Sequence, residues 1–136
     1  TAERYALIIS NPPFFQDALP SYDAARQQAR HTASLPFAAL LEKAASLLAP
    51  GGEFCLILPA SSQAAFTKTA LESGWLCQRL CSVKSKADKP VSRYLQSWIR
   101  YTKPDLPVIT KLLIYQSSNE YSSAYRNLLV DFYLKF

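Results

Sequence analysis

The 136-residue sequence has no methionine, one histidine and only three glycines. Each scarcity excludes something. Without methionine even at its first position, the chain is expected not to be an intact initiation product. His31 stands alone, and Cys55, Cys77 and Cys81 match no familiar zinc spacing, so no metal site is expected. Gly51, Gly52 and Gly74 fall at turn and helix-end positions, which leaves no glycine-rich loop to cradle a nucleotide. No stretch approaches the roughly 18 apolar residues of a membrane span, and no charged-then-apolar leader opens the chain. The expectation is a soluble cytoplasmic protein without membrane association. On a strand, Cys77 and Cys81 would lie on one face roughly 13 Å apart, beyond disulfide reach. Core thiols in a reducing compartment are the plain reading of an odd cysteine count.

What is present suits one compact domain and is too short for two: 49% hydrophobic and 18% charged residues. Acids are scarce in one window. Between Arg79 and Lys111, eight basic residues face only Asp88 and Asp105, a local charge of +6 within a chain of net +5. Such an excess fits a surface that meets a polyanion. A solvated hairpin whose lysines protect exposed strands would carry the same charge.

The pattern of elements is alternating. Tyr5 to Ser10 is an almost wholly apolar strand, as for burial on both faces of a parallel sheet. Pro12 and Pro13 end it. Phe15 to Ala33 reads as a polar loop. A helix from about Pro36 to Leu48 repeats apolar residues at helical spacing, with Ser34 a candidate cap. Pro50-Gly51-Gly52 reads as a turn, Glu53 to Leu58 as a second strand, and Ser61 or Ser62 as the cap of a helix that Gly74 terminates. Trp75 to Val83 and Ser92 to Tyr101 form an antiparallel pair, Val108 to Tyr115 a further strand, and Ser122 to about Val130 a short helix. The fold class is therefore α/β: parallel strands with a reversed antiparallel edge strand.

The motif that carries chemistry is Asn11-Pro12-Pro13-Phe14, set where the first strand ends. Open α/β sheets bind ligands at that end of their strands. Ile8-Ile9-Ser10-Asn11-Pro12-Pro13-Phe14-Phe15 resembles the catalytic motif of amino-methyltransferases. With Ala29-Arg30-His31-Thr32, Pro50-Gly51-Gly52-Glu53-Phe54, Leu58-Pro59, Lys89-Pro90, Arg93 and the run Tyr121 to Leu134, it resembles the bacterial tRNA1(Val) (adenine-37-N6)-methyltransferase family over essentially the whole chain.

That resemblance implies the C-terminal half of a class I (Rossmann-like) methyltransferase sheet. Residues 1–136 would be the catalytic and substrate half of one domain, with the half that binds S-adenosyl-L-methionine absent and the fragment alone inactive. It implies tRNA as partner and Asn11, Pro12, Pro13 and Phe14 as the amino-acceptor site. An adenine amino group is a poor nucleophile, because its lone pair is delocalised into the ring. Two acceptors, the Asn11 side-chain oxygen and the Pro12 carbonyl, would each take one N–H and hold the nitrogen pyramidal, favouring the transition state over the ground state. Phe14 would stack on the flipped base. Arg26, Arg30 and His31 would meet RNA phosphates, an ordinary solvated loop being the alternative. Lys84, Lys86, Lys89 and Arg93 would extend the anionic contact. With no strand beyond it, Tyr5 to Ser10 would be an apolar edge prone to self-association. Two other readings stay open here: methylation of a protein glutamine amide, as in release-factor methyltransferases, and a non-catalytic RNA-binding or assembly module.

Overall fold

The computed structural model describes residues 3–13, 36–100 and 105–132. Its main body is a five-stranded sheet ordered β1 (Tyr5–Ser10), β2 (Leu48–Pro59), β4 (Val91–Arg100), β3 (Trp75–Lys84), β5 (Val108–Leu113). β1 runs parallel to β2, and β5 parallel to β3. β4 is antiparallel to both β2 and β3. Four strands thus run one way, and the reversed strand lies inside the sheet, not at its edge. β5 takes the edge that the sequence reading assigns to the reversed strand.

Helices α1 (Phe37–Leu47) and α2 (Gln63–Glu72) cover one face. Leu41 and Ala44 of α1 and Phe66 and Ala70 of α2 share a core with Phe54, Leu56, Leu58, Trp75 and Trp98. Alternate residues of β2 supply that core, as period-2 geometry requires. Phe66 is its centre, edge-on to Phe37 (5.1 Å, 87°) and to Trp98 (5.5 Å, 76°). A polar knot sits within it. Gln96 accepts from Trp98 Nε1 at 2.9 Å and exchanges two amide bonds with Gln63, at 2.9 and 2.8 Å. All the polar atoms in this knot are paired, so its burial is not penalised.

Local signals act as expected at some points and differently at others. Gly74 ends α2 in the left-handed region, φ 83°. Ser62 occupies the N-cap position of α2 but makes no capping bond, because a 3-10 turn over Ala60–Ser62 leads directly into the helix. Pro50-Gly51-Gly52 does not separate two elements. It lies within β2 as a bulge, between the pairs Tyr5–Leu48 and Leu7–Glu53, with Gly51 at φ 76°. A second bulge sits at Gln78, where Cys77 pairs with Trp98 and Arg79 with Ser97. The extra residue reverses the alternation, so Cys77 joins the helix-side core while Cys81 lies on the other face. The two thiols therefore do not share a face as the plain strand period predicts. All three cysteines are free thiols. Burial pushes the Cys77 thiol up.

Beyond β5 the chain forms a two-stranded hairpin, β6 (Tyr115–Ser117) and β7 (Glu120–Tyr121), followed by α3 (Ser123–Leu129). Ser122 caps α3, its Oγ accepting from Tyr125 N at 3.1 Å and donating to the Leu113 carbonyl. Among the described residues no helix is long and apolar enough to cross a membrane.

Two measurements check this packing. Phe66→Ala should lower unfolding free energy by about 3–5 kcal/mol in urea titration. A loss near that of an exposed residue would contradict a central role. Iodoacetamide should modify Cys77 more slowly than a thiol in a model peptide across neutral to mildly alkaline pH, read by peptide mass spectrometry. Peptide-like reactivity would contradict its burial.

Candidate active site and nucleic-acid edge

Because β1, β2, β3 and β5 run the same way, their C-terminal ends open on one edge of the sheet. β1 delivers Ser10 and then Asn11 there. Ser10 pairs with Leu56, and Pro59, three residues further along β2, pairs with Arg93. Arg93 pairs with Val83, and Lys84 with Leu113. Crossing the edge from Asn11, one meets Pro59, Arg93, Lys84 and finally the exit from β5. At about 4.8 Å per strand, Arg93 lies roughly 10 Å and Lys84 roughly 14 Å sideways from β1.

At the motif, Asn11 and Pro13 are exposed and Pro12 is buried. No hydrogen bond ties the Asn11 side chain to any described residue, so its amide is available to a ligand. Pro12 anchors the turn while its neighbours face outward. Asn11 and Ser10 stand on the rim of a cavity of about 450 Å³ whose floor includes Cys55, Ile57, Cys81 and Leu95. That volume falls within the range of small-molecule pockets. The floor is the sheet face that α1 and α2 do not cover. The same face leaves Leu7 53% and Ile9 74% exposed, so β1 is not buried on both faces as its apolar run suggests. Only Ile8 packs into the helix-side core.

The basic window separates into used and available charge. Arg79 pairs with Glu53 at 2.8 Å, and Ser97 Oγ donates to the same carboxylate at 3.0 Å. Arg100 lies over the Trp75 ring at 4.9 Å and donates to the Ser73 carbonyl at 3.0 Å. Both arginines are engaged within the fold. Lys84 and Lys86 are half-buried, Lys89 and Arg93 exposed, and none has an acidic partner among the described residues. These four cluster at the β3–β4 turn, which Lys89 N closes on the Lys86 carbonyl at 3.1 Å. Phe14, Arg26, Arg30 and His31 lie outside the described residues.

The three glycines do not form a nucleotide-cradling loop. Gly51 and Gly52 belong to the β2 bulge, where a Cβ on Gly52 would meet the Leu48 side chain at 2.8 Å. Gly74 closes α2 against Arg100. None lies between a strand's C-terminal end and a helix N-terminus, where backbone N–H groups could receive a nucleotide. What sequence reasoning missed on this edge is the hairpin β6–β7, although Ser118-Asn119 between two short polar-aromatic runs is a turn signal.

The chain is 40% identical over 135 residues to the tRNA1(Val) (adenine(37)-N6)-methyltransferase of Dickeya chrysanthemi, covering 96% of this chain and 53% of that protein. It is 41% identical over 133 residues to the same-named protein of Edwardsiella ictaluri, covering 98% and 53%. For that of Vibrio cholerae it is 40% over 134 residues, covering 98% and 55%. The chain thus spans about half the length of the curated relatives it matches. No family model matches. Among solved structures, a predicted O-methyltransferase of Agrobacterium tumefaciens superposes with TM-score 0.65 at 16% identity, covering 93% of this chain and 51% of that one. A Listeria monocytogenes protein assigned to the class I S-adenosylmethionine-dependent methyltransferases gives 0.53 at 12% identity, covering 82% and 38%.

Since the Asn11 side chain makes no hydrogen bond among the described residues, Asn11→Ala should change thermal stability by no more than about 0.5 kcal/mol. A larger loss in a melting experiment would mean that the amide holds the fold. The chain carries a class I methyltransferase fold, and along nearly its whole length it is similar to about half of each tRNA1(Val) (adenine(37)-N6)-methyltransferase.

Proposed function

We propose that this chain is the acceptor-side half of a methyltransferase that uses S-adenosyl-L-methionine to methylate N6 of an adenine in tRNA, at anticodon-loop position 37 of a valine tRNA by its relatives' name, in the cytoplasm. One observation carries the reading. An Asn11 amide with no hydrogen bond among the described residues and the Pro12-Pro13 turn stand at the ligand-binding end of β1, on the same edge as Lys84, Lys86, Lys89 and Arg93, which have no acidic partner among those residues. The likeness to half of the tRNA methyltransferases supports it.

The bound cofactor supplies an electrophilic methyl group; its site is built by residues other than those described. The chain's own contribution is to the acceptor. The Asn11 side-chain oxygen accepts one N–H of the adenine amino group and the Pro12 carbonyl the other. The nitrogen lone pair is then held out of the ring plane. As the nitrogen gains positive charge, both hydrogen bonds strengthen, so their effect is greater in the transition state. Proline's fixed φ holds its carbonyl in place before the base arrives. Phe14 stacks on the extruded base, and Lys84, Lys86, Lys89 and Arg93, with Arg26, Arg30 and His31, take phosphates of the loop. His31 is not required as a base, since the amine becomes acidic once the methyl has arrived and then releases its proton to water.

In the full-length protein, Asn11→Ala should reduce transfer of labelled methyl to tRNA by about 10²-fold or more, with tRNA affinity retained in a filter-binding assay. Transfer at the parental rate would refute the role of Asn11. The isolated chain should be inactive and should self-associate through β1, whose Leu7 and Ile9 are exposed. Sedimentation should show species above monomer mass, reduced by Ile9→Lys. A monomer with β1 protected from hydrogen exchange would contradict this.

A further inference from the structure

Resting on the RNA substrate proposed above, we propose that Tyr115 is a base-stacking platform which, with Lys84 and Lys86, holds a second unpaired nucleotide of the RNA, remote from the base presented to Asn11. Three tyrosines form a ladder beyond β5. Tyr115 stacks on Tyr121 (5.0 Å, 17°) and Tyr121 on Tyr125 (5.2 Å, 26°). Their near-parallel planes differ from the edge-on aromatics of the core, at 87° and 76°. A stack of this kind ends in a flat ring, which can accept another flat ring. Core filling does not account for it, because α3 has no buried residue and the three tyrosines are all partly exposed.

The ladder is nevertheless placed with care. Ile114 N donates to the Lys84 carbonyl at 3.0 Å, Tyr115 N to the Ser85 carbonyl at 2.8 Å, and Ser122 N to the Ile114 carbonyl at 2.8 Å. These bonds set Tyr115 directly beside the residue that lies between Lys84 and Lys86. Tyr115 and two lysines then stand at one corner, near which the turn carries Asp88 and the hairpin Glu120. This is the composition of a single-strand nucleic-acid subsite: stacking for the base, which tolerates any base identity, and cations for the backbone. The corner follows β5, four strand spacings or roughly 19 Å sideways from β1. It therefore takes a nucleotide well away from the methylated one.

The test uses full-length protein and anticodon stem-loop RNAs, each carrying 2-aminopurine at one unpaired position. Binding should quench fluorescence at a position other than that of the methylated adenine. Tyr115→Leu should remove that quench and weaken binding about tenfold, while Tyr115→Phe, which keeps the ring, stays within about twofold. Lys84→Gln with Lys86→Gln should reduce the slope of log affinity against log salt by about 1.4. The proposal is overturned if Tyr115→Leu binds with parental affinity and the same quench pattern, even while Asn11→Ala still blocks methylation and upholds the proposed function. Absence of RNA binding by the parental protein would overturn both. Should Tyr115→Leu fail to fold, the scan on parental protein decides, and quenching confined to the methylated position overturns the subsite.

Discussion

The parallel ladder between β1 and β2 is the constraint on which the site depends. β1 is six residues long and has β2 as its only partner among the described strands. What fixes it is the run of pairs from Leu7–Glu53 to Ser10–Leu56, the insertion of Ile8 into the helix-side core, and Arg4 Nη1 donating to the Leu48 carbonyl at 3.3 Å. The direction of this ladder determines which end of the sheet receives Asn11. A one-residue slip would turn Ile8 out of the core and Ile9 into it. The bulge at residues 49–52 falls before that run and leaves its register intact.

Much of this was legible in the sequence because it depends on short-range rules. Apolar runs closed by proline mark the first two strands, the spacing of Phe37, Leu40, Leu41, Ala44 and Leu47 marks α1, and Gly74 the end of α2. What escaped was tertiary. Strand order cannot be read from strand length: the sequence pattern suggests a reversed strand at the edge, whereas β4 lies between β2 and β3 and β5 closes the sheet beside β3. The bulge at Gln78 has no composition signal, yet it sends Cys77 and Cys81 to opposite faces. Ser62 has the residue type of a cap but lacks the geometry, because the preceding turn already points the chain along the helix. The excess of positive charge was visible in the sequence; that Glu53 and Trp75 engage two of its arginines was not.

The sheet is also asymmetric in a way that bears on function. One face is dry and aromatic. The other exposes Leu7, Ile9 and Val108 and holds the cavity bordered by Asn11. Within a sheet whose reversed strand is internal, the Asn11 turn, the cations of the β3–β4 turn and the tyrosine hairpin lie along one border. On the proposed function, chemistry and recognition would be separated along that border, the reacting base being selected at β1 and the RNA backbone met toward β3 and β5. The short, exposed ion pair of Arg79 with Glu53 lies on the cavity face and contributes little to stability, on the order of 0–1 kcal/mol.

On the proposed function, this edge presents an exocyclic adenine nitrogen to a methyl donor. The most direct measurement is the identity of the product. Unmodified tRNA incubated with the full-length protein and S-adenosyl-L-methionine would be digested to nucleosides and resolved by liquid chromatography and mass spectrometry. New N6-methyladenosine and no other methylated nucleoside is expected. Methylation at a ring nitrogen or ribose oxygen, or a methyl group found only on a protein glutamine amide, would contradict it.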